Sequence, residues 1–149
     1  MKINSKLIDK TDFIKNTKNN STIDTYSCDY INGLLADFVI EEGTSSNWKY
    51  RKWNSGISEC WQNINGTLSV TTAWGSGLYI ASIPSVSFPT NLFIERPTIQ
   101  FTNIGGTSLI PMNDGGASAT GTGSIQMARG TSNSSAAYIL SIYAIGKWK

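Results

Sequence analysis

The side chains able to do chemistry are few, and their types exclude most catalysis. The chain has no histidine, so neither a Ser–His nor a Cys–His nucleophile can be assembled, nor any histidine-bearing metal site. The two cysteines, Cys28 and Cys60, form no C-x-x-C pair. They predict two reduced, buried thiols and no zinc centre. Glycan cleavage needs two positioned carboxylates. Beyond residue 36 the acidic side chains are Asp37, Glu41, Glu42, Glu59, Glu95 and Asp114. Glu41 and Glu42 are consecutive, so on a strand they point to opposite faces. Glu59 is expected to pair with Arg51 or Lys52 on a facing strand. The triplets Gly75–Gly77 and Gly121–Gly123 lack the third glycine of a dinucleotide loop, and no phosphate loop is present. The expectation is a protein without catalysis, cofactor or metal.

Binding chemistry is better supplied. Five Trp and six Tyr offer flat apolar faces on which sugar rings stack, although aromatics in β-proteins also fill cores and pair across strands. Trp53 and Trp61 flank a hairpin and are expected in the core. Trp48 and Tyr50 have the opposite parity from Trp53, so one set faces inward and the other outward. Trp74 stands just before the Gly75-Ser76-Gly77 turn, at a strand end where a ring can be exposed. The turns Met112–Gly116 and Arg129–Asn133 are rich in hydrogen-bonding side chains. Turn chemistry alone explains such clusters, yet they are the best polar candidates. The residues expected to touch a ligand are Trp74, Tyr79, Asn113, Asp114 and Arg129.

The elements that must position these groups are mostly strands. From Asp37 onward the periodicity is two, with apolar and polar residues alternating through short runs broken by Gly and Pro. Strands are predicted near 37–42, 47–53, 57–62, 67–72, 78–83, 108–112, 124–128 and 136–145. The Asn54-Ser55-Gly56 turn makes the second and third a hairpin. Such spacing predicts an all-β protein, an antiparallel β-sandwich. Residues 85–96, containing Pro89 and ending at Pro97, are expected as edge strands and a crossover. Gly115–Gly123 is expected to be a mobile surface loop. The run Ala136–Ile145 is apolar on both faces, so it lies centrally in a sandwich or turns one face to a neighbouring subunit.

Residues 1–36 differ in character. The first eighteen carry Lys2, Lys6, Lys10, Lys15 and Lys18 against Asp9 and Asp12, which suits a solvated stem. Ile23, Tyr26, Tyr30 and Leu34 follow helical spacing, predicting a short helix whose apolar stripe needs a partner. The expected division is a stalk over 1–36 and a head over 37–149. A chain of 149 residues with 15% charged side chains and a net charge of +2 gives no reason to expect nucleic-acid or membrane partners. The polar opening Met1–Lys6 predicts no export signal.

The segment Trp48-Lys49-Tyr50-Arg51-Lys52-Trp53-Asn54-Ser55-Gly56-Ile57-Ser58-Glu59-Cys60-Trp61 resembles the Tyr-Arg-Lys-Trp-x-x-Gly-x-x-Glu-Cys-Trp signature of tail-fibre and minor structural proteins from phages and prophages of Gram-positive bacteria. Asp37–Gly43, the closing Tyr143–Lys149 and the leader around Ser21–Asn32 are also similar to such heads and stalks. The resemblance implies a virion protein made in the host cytoplasm, a trimeric fibre tip that binds a cell-surface polysaccharide or protein and joins other tail proteins. It marks the signature as scaffold rather than binding site. The expected homotrimer would be held by Tyr26, Tyr30 and Leu34 in the stalk and by Tyr138, Leu140 and Ile142 on the last strand. The alternative is a structural tail or virion decoration protein with no receptor contact.

Overall fold

The computed structural model describes residues 37–113 and 116–149. Alternation of apolar and polar residues produces nine strands among them: β1 Val39–Ser45, β2 Trp48–Trp53, β3 Ile57–Val70, β4 Thr72–Ala73, β5 Tyr79–Ile83, β6 Thr98–Gly106, β7 Ile110–Asn113, β8 Ile125–Arg129 and β9 Asn133–Lys147. They form a five-stranded sheet in the order β1-β2-β3-β9-β6 and a four-stranded sheet in the order β4-β5-β8-β7. Every strand pairing is antiparallel. The all-β expectation holds for the described residues, among which there is no helix. The stalk helix and its residues Tyr26, Tyr30 and Leu34, with Cys28, lie outside the described residues.

One core joins the two sheets. Cys60, Ala136, Tyr138, Leu140, Ile142 and Ala144 from the larger sheet meet Ile83, Ile125 and Met127 from the smaller one. This corrects the expected subunit contact: Tyr138, Leu140 and Ile142 are buried within a single chain, on the face of β9 that packs against the other sheet. The alternate residues Ile139 and Ile145 are the exposed ones. Both rows of β9 are apolar, so composition did not distinguish them. β9 is covered along its edges by β3 and β6 and along one face by the core.

The aromatic residues of the signature hairpin also take the reverse of their expected sides. Trp48 is 3% exposed and belongs to the core, whereas Trp53 and Trp61 are half-buried on the opposite face. The reason is the segment between β5 and β6. Residues 84–97 form no edge strand but an irregular plug, in which only Ser87 makes an isolated bridge, to Gly121. Trp48 Nε1 donates to Ser87 O at 2.8 Å, and the Trp48 and Phe88 rings lie 5.4 Å apart. Phe88 in turn meets Phe93 edge-on at 5.2 Å. Ser58, wholly buried, donates to Leu92 O at 2.8 Å and fastens the plug to β3.

The glycine-rich run is a loop with Gly116, Ser118 and Thr120 exposed, as expected, but its last three residues depart from the expectation. Gly121, Thr122 and Gly123 are buried rather than on the surface. Thr122 N donates to Val86 O and its Oγ1 accepts from Val86 N, both at 3.0 Å. A Cβ at Gly123, where φ is +70°, would lie 2.4 Å from the Gly116 backbone, and one at Gly121 would lie 2.9 Å from Ser85 Oγ. The missing side chain lets Gly121 press against the plug and lets Gly123 press against Gly116 and Ala117 of its own loop.

Candidate functional site

The signature hairpin spends its polar groups on itself. Arg51 lies opposite Glu59 in the β2–β3 register. Its guanidinium approaches Glu59 at 3.8 Å and Glu42 at 3.6 Å, while its Cζ sits 5.3 Å above the Trp61 ring. Tyr143 Oη donates to Glu59 Oε2 at 2.6 Å. Burial and this bond to a carboxylate together push the Tyr143 hydroxyl up to about 12. At the sheet edge Glu41 accepts from Lys52 Nζ at 3.0 Å and Tyr50 Oη at 2.9 Å, which hold its carboxyl below the ordinary value. Burial, aided by the Glu59 charge, raises the Cys60 thiol to about 12, far from a reactive thiolate. The C-terminal residues close over the hairpin turn: Trp148 N donates to Gly56 O at 2.9 Å, and Trp148 Nε1 donates to Trp53 O at 3.0 Å.

Carboxylates elsewhere in the described residues are likewise engaged. Asp37 accepts from Ser55 N and Oγ, and Glu95 pairs with Lys147 at 3.2 Å. Among the described residues no group of three or more His, Cys, Asp or Glu side chains could hold a metal ion.

The four expected ligand contacts among the described residues fall at two ends of the smaller sheet. Tyr79 and Arg129 are direct cross-strand partners on β5 and β8. Ala73 pairs with Tyr79, and Trp74 N donates to Leu78 O at 2.8 Å, so the β4–β5 turn holds Trp74 at this same end. Trp74 is 50% exposed and Leu78 37%, giving the turn an open apolar cap. Asn113 pairs instead with Ile125 at the start of β8. Four residues of extended strand separate it from Arg129, roughly 13 Å. Asp114 lies outside the described residues. Trp74, Tyr79 and Arg129 therefore share an end of the sheet that Asn113 does not.

One residue of this end was not anticipated. β6 had not been expected at all, although Ile99, Phe101 and Asn103 carry its period-two signal. Asn103 shares their parity and points inward from the larger sheet. Arg129 likewise shares the inward parity of Ile125 and Met127 on the smaller sheet. Together they line a groove of about 620 Å³ with Ser108, Leu109, Ile110 and Thr131.

No family model matches the chain, and no curated protein matches it. Among solved structures the chain is similar to an N-truncated R1-type pyocin tail fiber, with 14% sequence identity and a TM-score of 0.48, over 83% of this chain and 98% of that one.

Proposed function

We propose that this chain is a non-enzymatic binding head of a phage tail fibre, which carries the particle to a saccharide on the host cell surface. The observation that carries the reading is the placement of Trp74, Tyr79 and Arg129 at one end of the smaller sheet. A half-exposed ring supplies apolar stacking and a guanidinium supplies directed donors, the pairing that polyhydroxylated ligands require. Turns on a rigid β framework are also where recognition varies without cost to the core. The resemblance of Trp48–Trp61 to the tail-fibre signature supports the same assignment, and the engagement of its Arg51 with its Glu59, and of Glu59 with Tyr143, suits a scaffold role.

Within this reading the chain works as a homotrimer beside other tail proteins, and the outward row of β9 with Ile104 of β6 replaces Tyr138, Leu140 and Ile142 as the head's apolar contact surface. The test is retention of the labelled full chain on bacterial cells and on a glycan array. Saturable retention that falls severalfold in Trp74→Ala, with the thermal midpoint unchanged, is the expected result. Retention on no cell and no glycan would leave the structural decoration protein as the better reading. Release of reducing ends from a bound polysaccharide would overturn the non-enzymatic assignment.

A further inference from the structure

The guanidinium assigned to the ligand end lies, in this structure, where nothing outside the protein can reach its inner donors. Arg129 Nε and Nη1 are screened from solvent and meet no hydrogen-bond acceptor. The side chain forms no ion pair among the described residues. Its stem accounts for the position, because Arg129 shares the inward parity of the buried Ile125 and Met127. Burying the methylenes of an arginine is favourable, whereas leaving a charged donor unmade is not. The two terms oppose each other within one side chain. Asn103, on the facing sheet, lines the same groove and has its Oδ1 buried without a donor. It is not free to turn to the guanidinium, because its Nδ2 donates to Thr107 O at 3.0 Å and to Leu109 O at 3.2 Å. Relief therefore needs movement of Arg129 itself, and the groove of about 620 Å³ beside it provides the room.

We infer that Arg129 is a two-position switch of the proposed ligand site, held inward by its stem in the free head and turned out into the groove when a ligand occupies the end marked by Trp74. The inference rests on the binding-head reading and adds a regulation to its site. Inward, Nε and Nη1 are out of a ligand's reach. Outward, they are donors at the groove mouth. A ligand thus interacts differently with the two positions, which is the condition for shifting a population. The mouth adjoins the Trp74 turn, since a Cβ added at Gly130, next to Arg129, would lie 3.8 Å from Gly77 O. Changing position requires only rotation about side-chain bonds between staggered wells. Holding the donors inward lowers the apparent affinity by the fraction of heads in which Arg129 is out. A charged side chain kept in such a place against stability is the mark of a residue retained for function.

The experiment is phenylglyoxal modification of the full chain, followed at each arginine by peptide mapping, together with the variant Arg129→Met. Arg96 is exposed and serves as the internal standard. Arg129 reacts about tenfold or more slowly than Arg96, as a minor outward state dictates. Its rate stays flat at urea concentrations well below the unfolding midpoint, because only a side chain has to move. Reaction as fast as that of Arg96, or a rate that climbs with urea in step with global unfolding, overturns the switch. Arg129→Met keeps an unbranched stem and removes the unmet donors. Its urea midpoint rises above that of the unaltered chain, while its retention on cells falls severalfold. An Arg129→Met chain that is less stable, or that fails to fold, overturns the opposition of terms on which the switch rests. Greater stability with retention like that of the unaltered chain sinks the regulation and leaves the binding head standing. No retention by the unaltered chain sinks the binding head, and the modification rates still decide whether Arg129 has two positions.

Discussion

Tyr143 on β9 donates to Glu59 on β3 across the larger sheet, at 2.6 Å, on the face turned away from the core. The two are diagonal neighbours, since Glu59 stands opposite Ile145 and Tyr143 opposite Trp61. With Arg51 on the other side of Glu59, three strands are tied by one carboxylate. Removing the hydroxyl in Tyr143→Phe keeps the ring and deletes only the bond. The expected loss is about 1.5–3 kcal/mol of unfolding free energy, the range for a hydrogen bond to a charged group. Urea titration checks it, and a midpoint equal to that of the unaltered chain would show the bond to be idle.

Alkaline pH should weaken the head through two groups. Cys60 is raised from 9.0 to about 12 and Tyr143 from 10.0 to about 12. Each is more easily ionised in the unfolded chain than in the folded one. Their stabilising contribution is therefore complete below about pH 9 and is lost as pH climbs towards 12. Urea midpoints compared at about pH 8 and about pH 11 should show the fall, and Tyr143→Phe should have a shallower slope. An equal slope in that variant would assign the alkaline loss to other groups.

The buried glycine-rich segment should matter to stability. Thr122→Val preserves shape but leaves the Val86 amide without the acceptor it now has at 3.0 Å. A loss of about 1–3 kcal/mol is expected for an unsatisfied buried donor. Gly123→Ala should be worse, because φ is +70° and the added Cβ meets backbone that cannot swing aside. Normal melting of both variants would mean that the segment is as loosely held as its composition suggests.

The two rows of β9 should respond oppositely. Ile142→Ala opens a cavity in the core and should cost about 2–5 kcal/mol. Ile139 is 41% exposed, and Ile139→Ala should cost less than about 0.5 kcal/mol within one chain. In the proposed trimer, Ile139→Asp should shift the light-scattering mass downward with the head still folded. An unaltered trimer mass would move the subunit contact off this face, and a monomer mass for the native chain at micromolar concentration would remove the trimer itself.

Sequence alone determined the elements whose signals are local. The Asn54-Ser55-Gly56 turn between two alternating runs specifies the β2–β3 hairpin, and period-two patterning from Asp37 onward specifies an antiparallel β head. The aromatic and basic side chains of the end proposed to bind a ligand, Trp74, Tyr79 and Arg129, are also visible as residue types at strand ends.

Tertiary structure decided which face of each strand is inside, because alternation defines two rows and says nothing about what will cover them. Trp48 is buried because residues 84–97 fold over it, a contact 39 residues away in the chain. Tyr138, Leu140 and Ile142 are core rather than surface because the second sheet packs on their row. The Gly121–Gly123 segment is buried because two bare glycines fit where side chains do not and the Thr122 hydroxyl is bonded between them. Asn103 and Arg129 belong to strands of different sheets, and only the packing of those sheets brings them to one groove. Arg129 is visible in the sequence as a basic residue in a polar turn, whereas Asn103 is conspicuous neither by type nor by spacing. What joins them is the closing of one sheet over the other, which no local pattern in the chain records.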